Sequence, residues 1–223
     1  MRVPDIFEVK SIKPKETHDW LLNKHYAKRI PSITWAFGLF DDYLKGVCTF
    51  GTPASSTLLR GVCGKKWADK VIELNRLVIN DECPKNTASY FVSNCIKMLP
   101  KPKIIVSYAD TGQGHTGKVY QACNFVYTGL SSKFTDPKVK GLEHQHHATY
   151  ANGMSNDELK EKFGERLYFE ERSRKHRYIY FSGSKTEVDK MMSDLNYKTK
   201  PYPKGKSKRY DASYKPQVQR ELL

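Results

Sequence analysis

The 223-residue chain carries 38 Lys and Arg against 24 Asp and Glu, a formal charge of +14, with 39% hydrophobic residues and a pI near 9.5. This length fits one domain able to bury a real core, and the charge favours a polyanionic partner, nucleic acid or an anionic membrane surface. No apolar run approaches membrane-spanning length, residues 1–15 lack the apolar core of a secretory signal, and five cysteines without a CxxC argue against a disulfide framework or structural zinc.

Residues 7–12 (FEVKSI) alternate as a first strand. Pro14 opens a helix over 15–26 with Trp20, Leu21, Leu22 and Tyr26 on one face and His25-Tyr26 at its end, followed by Lys28 and Arg29. Residues 33–40 and 44–50 flank an acidic turn as a hairpin. The stretch 52–70, rich in Gly, Ser and Lys, reads as a loop with one helical turn. Residues 71–79 (VIELNRLVI) form a central strand, in which Glu73, Asn75 and Arg76 need partners. The loop 80–89 (NDECPKNTAS) offers Asn86, Thr87 and Ser89 as caps for a helix over 88–99.

The stretch 106–129 organises the rest. A β-branched run at 103–106 reads as a buried strand that runs out at Ser107–Asp110, and Gly112, Gly114 and Gly117 then make a close-approach turn. A short helix with Tyr120 and a strand over 125–130 complete the unit, which places a polar mouth beyond the carboxyl end of a strand. An ordinary strand-helix-strand connection with a glycine-rich turn has the same pattern. Cys95 and Cys123 fall in apolar helical patterns and read as core thiols.

Farther on, 131–152 is polar and loop-like with Lys133, Lys138 and Lys140, and its His144, His146 and His147 read as solvated or phosphate-facing rather than as metal ligands. Residues 155–163 open on Ser155 as a capped helix, 172–181 passes from a basic run (Arg172, Arg174, Lys175, Arg177) into an aromatic strand, and 185–195 is an amphipathic helix. The end, 198–223, is basic and rich in Pro and Tyr, with Lys204, Lys206, Lys208 and Arg209. Its low apolar content argues against a packed element. Lysines interleaved with tyrosines suit phosphate contact and base stacking, or a solubilising tail.

The order Asp110, Gly112, Gly114, Tyr120, Phe125, Gly129 resembles the last strand-helix-strand of the GNAT acyltransferases. Together with His25-Tyr26, ELNRLVI at 73–79, SYAD at 107–110, KHRY at 175–178 and KPYPK at 200–204, the chain over roughly 10–205 resembles the phage Mom proteins. The resemblance implies a mixed α/β, GNAT-like fold: a central mixed sheet with splayed parallel strands flanked by helices over 1–197, plus a basic C-terminal extension, 198–223. It implies a transferase that adds a carbamoylmethyl group to the exocyclic amine of adenine in double-stranded DNA, shielding phage DNA from restriction in the cytoplasm of the infected bacterium. It carries over His25, Tyr26, Asp110 and Tyr120 as active-site positions. Arg76, Ser107, Asn86, Thr87 and Lys118 are expected toward substrate or donor. The resemblance also raises an Fe(II) requirement, for which His25 and Asp110 are ligand types.

The exocyclic amine is a weak nucleophile, so its proton must leave as the new bond forms. Asp110 is the expected base and Tyr120 the proton donor to the leaving group. Equally, Asp110 fits a helix cap, Tyr120 a core residue and His25 a partner of the backbone. The pyrophosphate loop of the acyltransferases is glycine-rich, whereas 80–89 has no glycine and contains Pro84, which disfavours acetyl-CoA. Glycyl transfer would give an isomer of the carbamoylmethyl group, so an activated glycine such as glycyl-tRNA, with tRNA as a second partner, is the alternative donor. A conventional acetyltransferase and a non-catalytic nucleic-acid-binding domain remain as other readings.

Overall fold

A computed structural model describes residues 2–142, 150–151 and 153–208 of the chain. The predicted histidine cluster at 144–147 and Arg209 lie outside the described residues. Seven strands form one sheet: β1 (Glu8–Ser11), β2 (Trp35–Phe40), β3 (Leu44–Gly51), β4 (Val71–Ile79), β5 (Lys103–Asp110), β6 (Val126–Leu130) and β9 (Lys175–Ser182), in the order β1-β2-β3-β4-β5-β9-β6. Only β4 and β5 run parallel; the other pairings are antiparallel. The mixed α/β class and the predicted strands are observed, within one to two residues at most ends.

Ile104, Ile105 and Val106 are fully buried because β5 is central and covered on both faces. One face packs on α1 (Val3–Ile6), α3 (Thr87–Met98) and α4 (Lys118–Ala122), through Phe91, Val92, Cys95 and Phe125. The other packs on α2 (Ser56–Gly61), a 3-10 turn at Lys65–Lys70 and α6 (Lys185–Ser193), around Val62, Trp67 and Met191. The expected loop at 52–70 is therefore largely helical. Its apolar residues cover a sheet face, and Trp67 Nε1 donates to Asp194 Oδ2 at 2.7 Å. All five cysteines are free and buried, including the predicted core thiols.

Between β6 and β9 the chain leaves the sheet. β7 (Phe134–Val139) pairs with β8 (Leu167–Arg172), and α5 (Asn156–Phe163) packs behind them on a small core of Val139, Tyr150, Ala151 and Leu159. Residues 134–139, expected as loop, are thus a strand, held by a partner far along the chain that local patterning does not show. Ser155 caps α5 as predicted, accepting from Glu158 N at 3.3 Å. The β9 strand then inserts between β5 and β6 and separates the two ends of the predicted strand-helix-strand unit. No helix among the described residues is long and apolar enough to cross a membrane.

Candidate active site

The parallel ladder of β4 and β5 runs from Val71↔Ile104 to Leu74↔Ser107 and stops. Beyond that point β4 continues on β3 alone, and β5 continues on β9 as far as Asp110↔Lys175. Arg76 and Ser107 thus stand on neighbouring strands at the divergence, as expected. Ser107 is fully buried, and its hydroxyl donates to Leu74 O at 3.0 Å, supplying a donor to a β4 carbonyl where the ladder ends. Expected as a donor-binding residue, Ser107 instead ties the two strands together and does not line the opening.

The divergence opens a cavity of about 440 Å³. Consecutive residues 73–77 all line it. On an intact sheet, alternation would send every second side chain to the opposite face, so the cavity passes between the strands. Asn75 fixes the edge: its Oδ1 accepts from Thr49 Oγ1 at 2.6 Å and its Nδ2 donates to Ser32 O at 2.8 Å.

His25 and Tyr26 also line the cavity. The expected helix over 15–26 is a 3-10 turn at Pro14–Thr17 followed by a π-helix at Trp20–Lys24, and it ends before His25. The wider π turn closes with His25 N donating to Trp20 O at 2.9 Å and throws His25 into an extended conformation. His25 is 4% exposed and stacks on Tyr26 at 4.4 Å. Its Nδ1 accepts from Ala27 N at 3.0 Å, which places the proton of the neutral ring on Nε2. Burial first, then the charges of Arg76, His115, Lys28 and Arg29, push its pKa down to about 3, so the ring is neutral at physiological pH. Burial, and secondarily Asp110, pushes the Tyr26 hydroxyl up to about 12.

Gly117 opens α4 at φ +73°, a conformation that side chains rarely adopt, and an added Cβ there would stand 2.4 Å from the Tyr178 ring. This close approach sets Tyr120 against Phe125 and Tyr178, each at 5.4 Å between ring centres. Burial raises the pKa of the Tyr120 hydroxyl far above that of a free phenol, and the nearby Ser107 hydroxyl partly opposes the shift. Tyr120 therefore stays protonated.

Asp110 is placed differently from expectation. Its Oδ1 accepts from Gly112 N at 2.9 Å and Ser173 Oγ at 2.6 Å, its Oδ2 lies 3.8 Å from Lys175 Nζ, and it does not line the cavity. It caps the turn that follows β5. The carboxylate that does line the cavity is Glu73. Its side chain accepts no hydrogen bond among the described residues, and burial raises its pKa against the opposing pull of Arg76, Lys175 and Arg29. In the sequence Glu73 stood out only as a polar interruption of a strand. His115, which the sequence places at or near the polar mouth, lines the cavity with its ring centre 6.0 Å from that of Tyr26.

The other expected positions divide. Arg76, Asn86, Thr87 and Lys118 line the cavity. The predicted caps of α3 do not cap: Thr87 N and Oγ1 both donate to Pro84 O, and Ser89 Oγ donates to Asn86 O. Asn86 holds the N-cap position at φ 71° with no side-chain bond to the helix. The hydroxyls of Thr87 and Ser89 are thus committed within their own loop. A metal does not fit the site. Among the described residues no three of His, Cys, Asp and Glu converge to hold an ion, and the Asp110 carboxylate and His25 Nδ1 are both engaged.

The basic positions also divide. Arg172 pairs with Asp136 at 2.8 Å and Lys138 with Glu170 at 3.7 Å, Arg174 Nε donates to Ser131 O, and Arg177 stacks on Tyr197 at 3.4 Å. Lys133, Lys140, Lys204, Lys206 and Lys208 are exposed. Lys175 and Lys208 line the cavity. Residues 198–208 do not trail away as their composition suggests. Lys200 N donates to Tyr127 O, the Tyr202 hydroxyl to Phe125 O, and Lys208 N to Gly114 O.

Residues 6–204 match the model of the Mom protein family. The methylcarbamoylase mom of Escherichia phage Mu is 27% identical over 199 residues, covering 81% of this chain and 77% of that protein. Among solved structures, the ribosomal-protein-S5-alanine acetyltransferase of Vibrio fischeri aligns at a TM-score of 0.46 with 10% identity, covering 80% of this chain and 94% of that one. The aminoglycoside N(6')-acetyltransferase of Legionella pneumophila aligns at 0.44 with 10% identity, covering 84% and 95%.

Proposed function

The chain belongs to the Mom protein family, and from that premise we propose that it is a transferase that modifies DNA, adding a carbamoylmethyl group to the exocyclic amine of adenine. The observation that carries this reading is the chemistry of the splayed cavity. One carboxyl with a raised pKa, Glu73, faces a set of groups that all stay neutral and protonated: His25, Tyr26 and Tyr120. An amine conjugated into a purine ring needs a base that takes its proton as it attacks, and a base with a raised pKa does so better near neutral pH.

In this reading Glu73 takes the N–H proton. The Tyr120 hydroxyl donates a proton to the departing group, which a phenol held neutral by burial can do. His25 Nε2–H and the Tyr26 hydroxyl, stacked together, hold the donor's carbonyl oxygen as charge grows on it. Asp110 acts indirectly: it fixes the turn that carries His115 and the start of α4. The donor is a glycine-derived acyl compound: attack on its carbonyl expels the donor's leaving group and gives the N-glycyl amide, and an isomerisation that moves the purine nitrogen from the carbonyl carbon to the methylene, with the glycyl nitrogen taking its place on the carbonyl, then gives the carbamoylmethyl product. No step is routed through coenzyme A or iron, since the loop 80–89 has no glycine and no three of His, Cys, Asp and Glu converge among the described residues.

Five cations line the cavity, namely Arg76, Lys85, Lys118, Lys175 and Lys208, against the one carboxylate of Glu73. That excess suits a nucleotide entering from a DNA strand, base first. Bases in a duplex are reached by extrusion. The test is Glu73→Gln beside Asp110→Asn, with modified adenine in cellular DNA measured by digestion and mass spectrometry. Glu73→Gln should abolish the product. Asp110→Asn, which keeps an oxygen acceptor for Gly112 N and Ser173 Oγ, should retain most of it. The reverse pattern would return the role of base to Asp110.

A further inference from the structure

Residues 198–208 run along β6 and end at the cavity mouth. Lys200 N donates to Tyr127 O at 2.9 Å and the Tyr202 hydroxyl to Phe125 O at 2.8 Å. Ser207 Oγ accepts from Thr116 N at 3.1 Å, and Lys208 N donates to Gly114 O at 3.0 Å. These four bonds join this strap to β6 and to both sides of the glycine turn, so its path is fixed.

Electrostatics alone oppose that docking. The strap carries Lys198, Lys200, Lys204, Lys206 and Lys208, and it lies against a mouth that already presents Lys118 and Lys175. Two like charges at 4 Å repel by about 1 kcal/mol in water and about 4 kcal/mol near a protein surface. An anion between them reverses the sign.

The turn at 110–114 carries one of these lysines at each end. At its first residue, Lys175 Nζ lies 3.8 Å from Asp110 Oδ2. At its last, the Lys208 side chain runs so close over Gly114 that an added Cβ would meet its Cδ at 3.1 Å. Both lysines line the cavity. Of the Asp110 carboxylate, Oδ1 is already occupied by Gly112 N and Ser173 Oγ, so the acid answers for one lysine at most.

We propose that Lys208 of the strap and Lys175 of β9 form a phosphate seat on the rim of the cavity, which holds the phosphate of the nucleotide whose base enters it. This rests on the reading that the cavity takes a nucleobase. It makes residues 198–208 a wall of the site and a determinant of which substrates it accepts, in addition to any general attraction for DNA. Lysine suits such a seat as a mobile point charge that needs no fixed bidentate geometry.

The test uses the full-length chain with deoxyadenosine, deoxyadenosine 5'-phosphate and coenzyme A as probes in equilibrium binding at low salt. The wild type should bind the nucleotide about tenfold more tightly than the nucleoside, the scale of one charge-assisted contact. Lys208→Gln and Lys175→Gln should each remove most of that preference and leave nucleoside affinity unchanged. The Lys208→Gln melting temperature should not move, because the strap is held there by the backbone N–H. No preference in the wild type, an unchanged preference in both variants, or equal loss for nucleoside and nucleotide would overturn the proposal. So would a loss confined to coenzyme A, which would assign the seat to the donor's phosphates. The two readings fail separately: unmodified DNA from cells expressing the wild type sinks the enzymatic reading. An unchanged nucleotide preference in a chain that does modify DNA sinks only the seat.

Discussion

The splayed cavity and the β7–β8 insert are both densely charged, yet their charges are organised in opposite ways. On the insert acids and bases alternate and meet: Arg172 with Asp136 at 2.8 Å, Lys138 with Glu170 at 3.7 Å. In the cavity five cations face one carboxylate, and burial moves the titration of His25, Tyr26, Glu73 and Tyr120. A net charge of +14 therefore says little about where an anion binds. What decides is whether each cation already has a neighbour of opposite sign, and how dry the place is.

The largest effect should come from Glu73→Gln. It removes the single carboxylate among the described residues that line the cavity, so activity should fall about a hundredfold or more, the usual scale for a general base. Stability should move the other way. The folded carboxyl has a raised pKa, so it binds its proton more tightly than in the unfolded chain. Its contribution to the native state is fully present at low pH and is lost as pH rises from the unfolded value through the folded one. At neutral pH the burial of this charge is a cost, and Glu73→Gln should melt at or above the wild-type temperature. A lower melting temperature would mean that Glu73 is structural.

Next in size is the acid sensitivity set by His25. Its pKa is lowered to about 3 in the fold, so the unfolded chain binds this proton more readily. Stability from this group is complete above the unfolded value of about 6.5 and drains away as pH falls from there toward 3. Denaturant titrations between pH 7 and 4 should show that slope, and His25→Asn should flatten it. An equal slope in the variant would place the effect elsewhere.

Smaller changes are expected from the two basic surfaces. Removing 198–223 should weaken DNA binding across all sequences and reduce the slope of log affinity against log salt, since each lost phosphate contact takes with it about 0.9 of a unit. Arg172→Ala and Lys138→Ala should change DNA affinity about twofold at most and stability by less than about 1 kcal/mol, as for exposed ion pairs. A large loss from the insert with little from the strap would invert the comparison.

Much of this was legible in the residues. The strands and the turn at Gly112–Gly117 follow from patterning, whereas the divergence beyond Ser107 and the cavity positions of His25, Tyr26, Arg76 and Tyr120 were expected from the family resemblance. Three things were not. Strand β7 depends on pairing with β8, whose partner residues lie some thirty positions on, beyond any local window. Glu73 rather than Asp110 lines the cavity because where a carboxylate points depends on which donors reach it, and Ser173, which binds Asp110, comes from a distant strand end. The strap docks through backbone groups, which composition does not report.

The central claim is that the Glu73 cavity modifies adenine in DNA. It is tested most directly by digesting DNA from cells that express the full chain and weighing the nucleosides. The account predicts an adenine nucleoside carrying a carbamoylmethyl group with the wild type, and none with Glu73→Gln produced at the same level and equally folded. Unmodified adenine with the wild type, or the same yield of modified nucleoside from both proteins, would contradict it.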